Sequence, residues 1–282
     1  MTTSPKELLE LLSSAELDTL WRRQSPQLLK ELHLLTRDGE LNQDARRKLK
    51  QIYHLTRFLL PMLQASFEKE ENPLLMDMGA GKSYLGFLLY DLWFSKVGRG
   101  QVIGLENRAE LVEKSKALAQ SLGFDRLSFE GGTIRAAPLR PHAMLVALHA
   151  CDTATDDAIL FALKAKTRFL ALVPCCQAEV AKELGNIPKA PYSQLWRKAL
   201  HAREFGSHLT NVLRCLVLES QGYKVTVTEF TGWEHSLKNE LVLAEKIQLT
   251  NPPAERALEA FKKEFPIETT LTRGLLEISQ TS

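Results

Sequence analysis

The chain has 282 residues, 36 Lys and Arg against 34 Asp and Glu for a formal charge of +2, and 44% hydrophobic residues. That length suits one large domain or a domain with an appendage, and that composition can fill a real core. No apolar run reaches membrane-spanning length, the four cysteines do not form a disulfide scaffold, and the near-balanced charge neither demands nor excludes nucleic acid.

Residues 1–70 read as helical. Ser4-Pro5-Lys6-Glu7 sets a capping serine, a proline at the first helical position and a glutamate three residues after the cap. Ser13 with Glu16 repeats the pattern, Ser25-Pro26 opens a third helix, and Gly39 predicts a stop. From Asp44 a longer helix runs through Ile52, Leu55, Leu59 and Leu63 and carries Arg46, Arg47, Lys48, Lys50 and Arg57. That basic row reads either as a face for RNA phosphate or as a solvated helix face. The start of the chain has no signal-peptide pattern, so a cytoplasmic location with no membrane association is expected.

The charged stretch 68–73 feeds an apolar run ending at Asp77, which reads as a buried strand. Gly79 and Gly81 follow with Ala80 between them, and then apolar residues at helical spacing through Tyr90. Strand, glycine turn and helix open a βαβ nucleotide-binding unit, in which the bare backbone lets a ligand come close. Residues 101–105 form the next strand, and Glu106 at its tip can accept hydrogen bonds from both hydroxyls of a ribose. A helix over 107–121 and a short strand at 127–129 come next.

Residues 143–148 predict a central parallel strand, Thr153 to Lys164 a helix with Asp152 as its cap, and 169–173 another buried strand. Two helices are expected over 191–203 and 205–221, then strands at 223–230 and 240–245 as an antiparallel edge hairpin, and a helical tail from Pro253. Gly79-Ala80-Gly81-Lys82-Ser83 is not a P-loop, because Met76 stands where that motif needs glycine. Asn251-Pro252-Pro253 reads as a loop before a helix.

Asp77-Met78-Gly79-Ala80-Gly81-Lys82-Ser83-Tyr84-Leu85 and Val102-Ile103-Gly104-Leu105-Glu106 resemble motifs of class I S-adenosylmethionine-dependent methyltransferases. Within that class they resemble the branch with Asp-x-Gly-x-Gly-Lys-Gly-x-Leu. Leu148-His149-Ala150-Cys151-Asp152 and Val173-Pro174-Cys175-Cys176-Gln177 agree with the branch's His-x-Cys and paired cysteines. The similarity spans residues 46–246 and departs from the pattern at Ser83, Ala150 and Asp152.

The resemblance implies an α/β fold with a Rossmann-like, mostly parallel sheet, an antiparallel edge hairpin and a helical N-terminal appendage. It divides the chain into a helical region 1–70, an S-adenosyl-L-methionine-binding domain 71–250 and a helical tail 251–282. Asp77, Gly79, Ala80 and Gly81 would hold the amino-acid end of that cofactor, and Glu106 with Asn107 the ribose. Gly132 and Thr133 fall where the adenine is met, or form a plain turn. His149 is a cofactor contact and a candidate base or substrate-orienting group, or a histidine hydrogen-bonded within the sheet. Cys151, Cys175 and Cys176 pack as small apolar residues or, with His149, bind zinc. The activity implied is methyl transfer, with RNA as the first expected acceptor. A protein or small-molecule acceptor, or a binding module without turnover, is the alternative. No obligate protein partner is evident.

Overall fold

The computed structural model describes residues 2–148, 150, 152–174, 178–187, 193–230 and 240–281. Ser4 caps α1 (Pro5–Ser14), accepting from the Glu7 N–H while the Glu7 carboxylate accepts from the Ser4 N–H, a reciprocal capping box. The second box, expected at Ser13 and Glu16, does not form. The Ser14 hydroxyl donates back to the Glu10 carbonyl at 2.8 Å, so these serines finish a helix, and Leu17–Arg23 is a 3-10 helix without a side-chain cap. Ser25 caps α2 (Pro26–Glu31). That helix stops well before Gly39, which instead takes φ +80° in a turn beside the Leu35–Leu41 bridge. Asn42 then accepts from the Ala45 N–H at 2.8 Å and opens α3 (Gln43–Lys69).

The sheet begins with β1 (Leu74–Met78), followed by α4 (Tyr84–Leu89), a π-turn at Tyr90–Phe94 and α5 (Ser95–Val97). Next come β2 (Gln101–Glu106), α6 (Ala109–Ser121), β3 (Leu127–Gly131), β4 (Met144–Ala147), α7 (Thr153–Lys164) and β5 (Phe169–Leu172). α8 (Glu179–Glu183) and α9 (Ala199–Ser220) precede β6 (Tyr223–Glu229) and β7 (Glu240–Lys246), and α10 (Pro252–Glu264) and α11 (Thr270–Thr281) end the chain. The order across the sheet is β3-β2-β1-β4-β5-β7-β6. β7 runs antiparallel to both neighbours and the other pairings are parallel. This is the Rossmann-like, mostly parallel sheet with an antiparallel edge that the motifs imply. The chain reverses its direction of travel between β1 and β4, so a crevice opens beyond the carboxyl ends of those strands.

Alternation along each strand splits the core in two. Leu75, Val102, Met144 and Phe169 face one side, where they join α4 and the N-terminal helices; Met76, Ile103, Leu145 and Leu170 face the other, against α7 and α9. The first cluster is continuous from Leu8 and Leu12 through Leu55, Leu59 and Leu63 of α3 to the sheet. Each of those α3 leucines is essentially fully buried, worth about 1.5–3 kcal/mol apiece. The long helix is therefore fastened along the sheet, and Arg168 adds a hydrogen bond to the Ala65 carbonyl.

α9 is one helix where two were expected. Gly206 does not break it; a Cβ there would lie 2.7 Å from the Ala181 Cα, so the glycine admits α8 in close crossing. Asn251 accepts from the Ala254 N–H as the cap of α10, so Pro252 and Pro253 form the helix's first turn where a preceding loop was expected. No helix among the described residues is long and apolar enough to cross a membrane.

Candidate active site

The glycine turn hangs on the neighbouring strand. The N–H groups of Gly79 and Ala80 both donate to the Leu105 carbonyl at 2.9 Å, and Ser83 N–H closes on the Ala80 carbonyl at 2.7 Å. Gly79 at φ +74° and Gly81 at φ +60° adopt the left-handed backbone that glycine enters freely. Ser83 takes φ +53°, which explains why glycine is usual at that place; a serine there costs about 1–2 kcal/mol.

Asp77 and Glu106 are presented by adjacent parallel strands on either side of this turn. Asp77 is 2% exposed, and its Oδ2 is enclosed without a hydrogen-bond partner, as is the Ser83 hydroxyl. Burial, with the Glu106 carboxylate adding to it, pushes the Asp77 carboxyl up to about 7. Glu106 is almost as enclosed but fully served. Its Oε2 accepts from the Gly81 N–H at 2.8 Å, and its Oε1 from the Arg108 N–H at 3.0 Å and Arg108 Nε at 2.9 Å. Burial works to raise its titration point, yet the hydrogen bonds from the Arg108 side chain, the Arg108 N–H and the Gly81 N–H outweigh burial and hold it low.

A cleft of about 520 Å³ opens over the turn. Asp77, Gly79, Ala80, Gly81 and Glu106 line it, together with Leu148 and Ala150 from the β4 tip. Asn107, Gly132 and Thr133 are not among its lining residues. Asn107 is exposed, and Gly132 attaches to the site through its N–H, which donates to the Glu106 carbonyl at 3.1 Å. His149, Cys151, Cys175 and Cys176 lie outside the described residues. Among the described residues no three His, Cys, Asp or Glu side chains are grouped to hold a metal.

Asp152 sits at the start of α7 without capping it. Its carboxylate accepts instead from the Ala178 N–H at 3.0 Å, and its backbone adopts φ 51°, ψ −119°. That strained turn is held by Arg214, 1% exposed, which donates Nη2 to the Asp152 carbonyl at 2.8 Å and Nε to Asp156 at 2.7 Å.

Two contributions escaped sequence reasoning. Arg108 is one, although its place two residues after the ribose-type acid, at the strand-to-helix turn, was a usable signal. The other is the face of α3 bearing Lys48, Gln51 and Ile52, which forms a wall of the cleft. Of the basic row, Arg57 is not available to a partner, because it donates to the Ala15 carbonyl. Lys48 pairs with Asp44 and stands 5.6 Å over the Tyr84 ring, while Arg46, Arg47 and Lys50 are exposed.

Among solved structures, the chain is similar to an rRNA methylase from Streptococcus thermophilus, at 12% identity and a TM-score of 0.40, over 64% of this chain and 89% of that one. It is also similar to magnesium protoporphyrin IX methyltransferase from Synechocystis with bound SAH, at 14% identity and 0.43, over 87% and 100%. A third is a SAM dependent methyltransferase from Aquifex aeolicus, at 17% identity and 0.37, over 83% and 100%. A search of curated proteins finds no match. Residues 47–183, which carry Lys48, Asp77, the glycine turn, Glu106 and Ala150, match a family model described as a methyltransferase domain.

Proposed function

We propose that this chain is an S-adenosylmethionine-dependent methyltransferase whose acceptor is RNA. One observation carries the reading. Two acids at the tips of neighbouring parallel strands flank a bare glycine turn inside a single cleft, within the stretch that matches the methyltransferase-domain model. The residues suit the cofactor. Asp77, buried with an unpartnered oxygen, lacks a cation. Glu106 can take two ribose hydroxyls once the exposed Arg108 side chain gives way.

S-adenosylmethionine, when bound, supplies a methyl group on a positively charged sulfur. The chain's own part is to bind, orient and exclude water. Asp77 would fix the amino group, Glu106 the sugar, and the apolar lining from Ile52, Leu85, Ile134 and Leu148 would keep the reacting region dry. Lys48, Lys82 and Arg108 line the cleft and give it cations suited to a phosphate backbone at its mouth.

The test is transfer of labelled methyl into RNA, protein and small-molecule fractions from cells lacking this protein. Label is expected in the RNA fraction. Label in the protein or metabolite fraction instead would overturn the acceptor, and no binding of S-adenosylhomocysteine at all would overturn the enzyme reading.

A further inference from the structure

The α3 wall of the cleft carries a polar group without an evident purpose in the fold. Gln51 is 6% exposed and lines the cleft, yet its amide has no hydrogen-bond partner among the described residues. A primary amide can donate twice and accept twice, and at the wall of the cleft it is open to a ligand from that side. One turn earlier on the same face is Lys48, also lining the cleft, because residues three apart on a helix are neighbours. Its contact with Asp44 is a surface ion pair, with side chains 39% and 73% exposed, and such pairs yield readily.

The cleft is therefore polarised. At the strand tips Glu106 already has Arg108 beside it and Asp77 has no cation, while the Lys48 ammonium and the Gln51 amide stand on the helix side. A ligand end bearing both an ammonium and a carboxylate matches that division, with its ammonium toward Asp77 and its carboxylate toward α3. We propose that Lys48 and Gln51 bind the carboxylate of the methyl donor's amino-acid end, so that the N-terminal helix completes the cofactor site. This rests on the proposed function and extends it to two residues that neither the strand tips nor the glycine turn supplies.

The experiment compares two ligands by titration calorimetry. S-adenosylhomocysteine has the amino-acid end; 5′-methylthioadenosine keeps the adenosine and sulfur and lacks that end. Gln51→Leu and Lys48→Met should each weaken S-adenosylhomocysteine about tenfold and leave 5′-methylthioadenosine within about twofold, since each removes one strong hydrogen bond to a charged group. Equal weakening of both ligands, or no change in either, overturns the proposal while the enzyme reading stands. If the unaltered chain binds neither ligand, the enzyme reading itself falls, and this proposal with it. Lys48 is the more exposed of the two positions, so Lys48→Met keeps the test decisive should Gln51→Leu fail to fold.

Discussion

The tips of β1 and β2 stand side by side and each carries a buried acid, yet the two are shifted in opposite directions. Asp77 has an oxygen without a donor and titrates near 7; Glu106 is surrounded by N–H groups from Gly81 and Arg108 and is held low. Burial raises both, more fully at Asp77, and at Glu106 the donated hydrogen bonds outweigh it. Glu106 receives the Gly81 N–H from the glycine turn and the Arg108 N–H from just beyond its own strand, whereas Asp77 is packed beside the Ser83 hydroxyl, which does not reach it: a Cβ at Gly86 would lie 2.6 Å from Ser83 Oγ and 3.6 Å from Asp77 Oδ2. One acid has donors on both oxygens, and the other has an enclosed oxygen that meets none.

The contrast is broken most severely by Glu106→Ala. It removes two charge-assisted hydrogen bonds to the ribose, about 1.5–3 kcal/mol each, and unfastens Gly81, so affinity for S-adenosylhomocysteine should fall about 100-fold in calorimetry. Asp77→Asn comes next and acts in two directions. Affinity should fall about 30-fold, because the ligand's ammonium loses its counter-charge. The unliganded protein should melt about 5 °C higher, because a poorly served buried charge is gone. A lower melting point with unchanged affinity would mean that Asp77 serves the fold alone.

The third test is pH. The folded chain without ligand holds a proton on Asp77 up to about 7, which the unfolded chain has released near 3.8. Between those values the folded state binds more protons, so this group's contribution to stability falls as pH rises through that window. Ligand binding needs the ionised form, so affinity should drop about tenfold from pH 8 to pH 6, and Asp77→Asn should flatten that slope. The mildest change is Arg108→Ala. Its guanidinium is exposed, such pairs are worth about 0–1 kcal/mol, and removing it frees Glu106 for the sugar. Affinity should change by about threefold at most, toward tighter binding.

The parts of this site that a sequence reader can find are the contiguous ones. β1, the turn and β2 announce themselves because an apolar run, glycines at forced dihedrals and a terminal acid lie within one βαβ unit, and Thr153–Lys164 was legible from its apolar spacing alone. The α3 wall was not. Lys48 was visible as one charge in a basic row, but which of those charges faces a cleft depends on how Leu55, Leu59 and Leu63 seat the helix on the sheet, a tertiary fact. Gln51 offers no local signal; it matters only because the seating of α3 brings it to the wall of the cleft. Asp152 misled for a related reason. Its position is that of a cap, but its carboxylate is drawn to the Ala178 N–H, on the far side of β5, and its backbone is fixed by Arg214 from α9. Local rules located the helix start correctly and assigned the side chain's role incorrectly.

On the proposed function the methyl donor binds across the tips of β1 and β2. A crystal structure of the protein with S-adenosylhomocysteine tests it most directly. The ribose hydroxyls are expected on Glu106, the amino group on Asp77 and the Arg108 side chain turned away. A ligand bound elsewhere, or one in this cleft with Glu106 still held by Arg108 and Asp77 untouched, would contradict it.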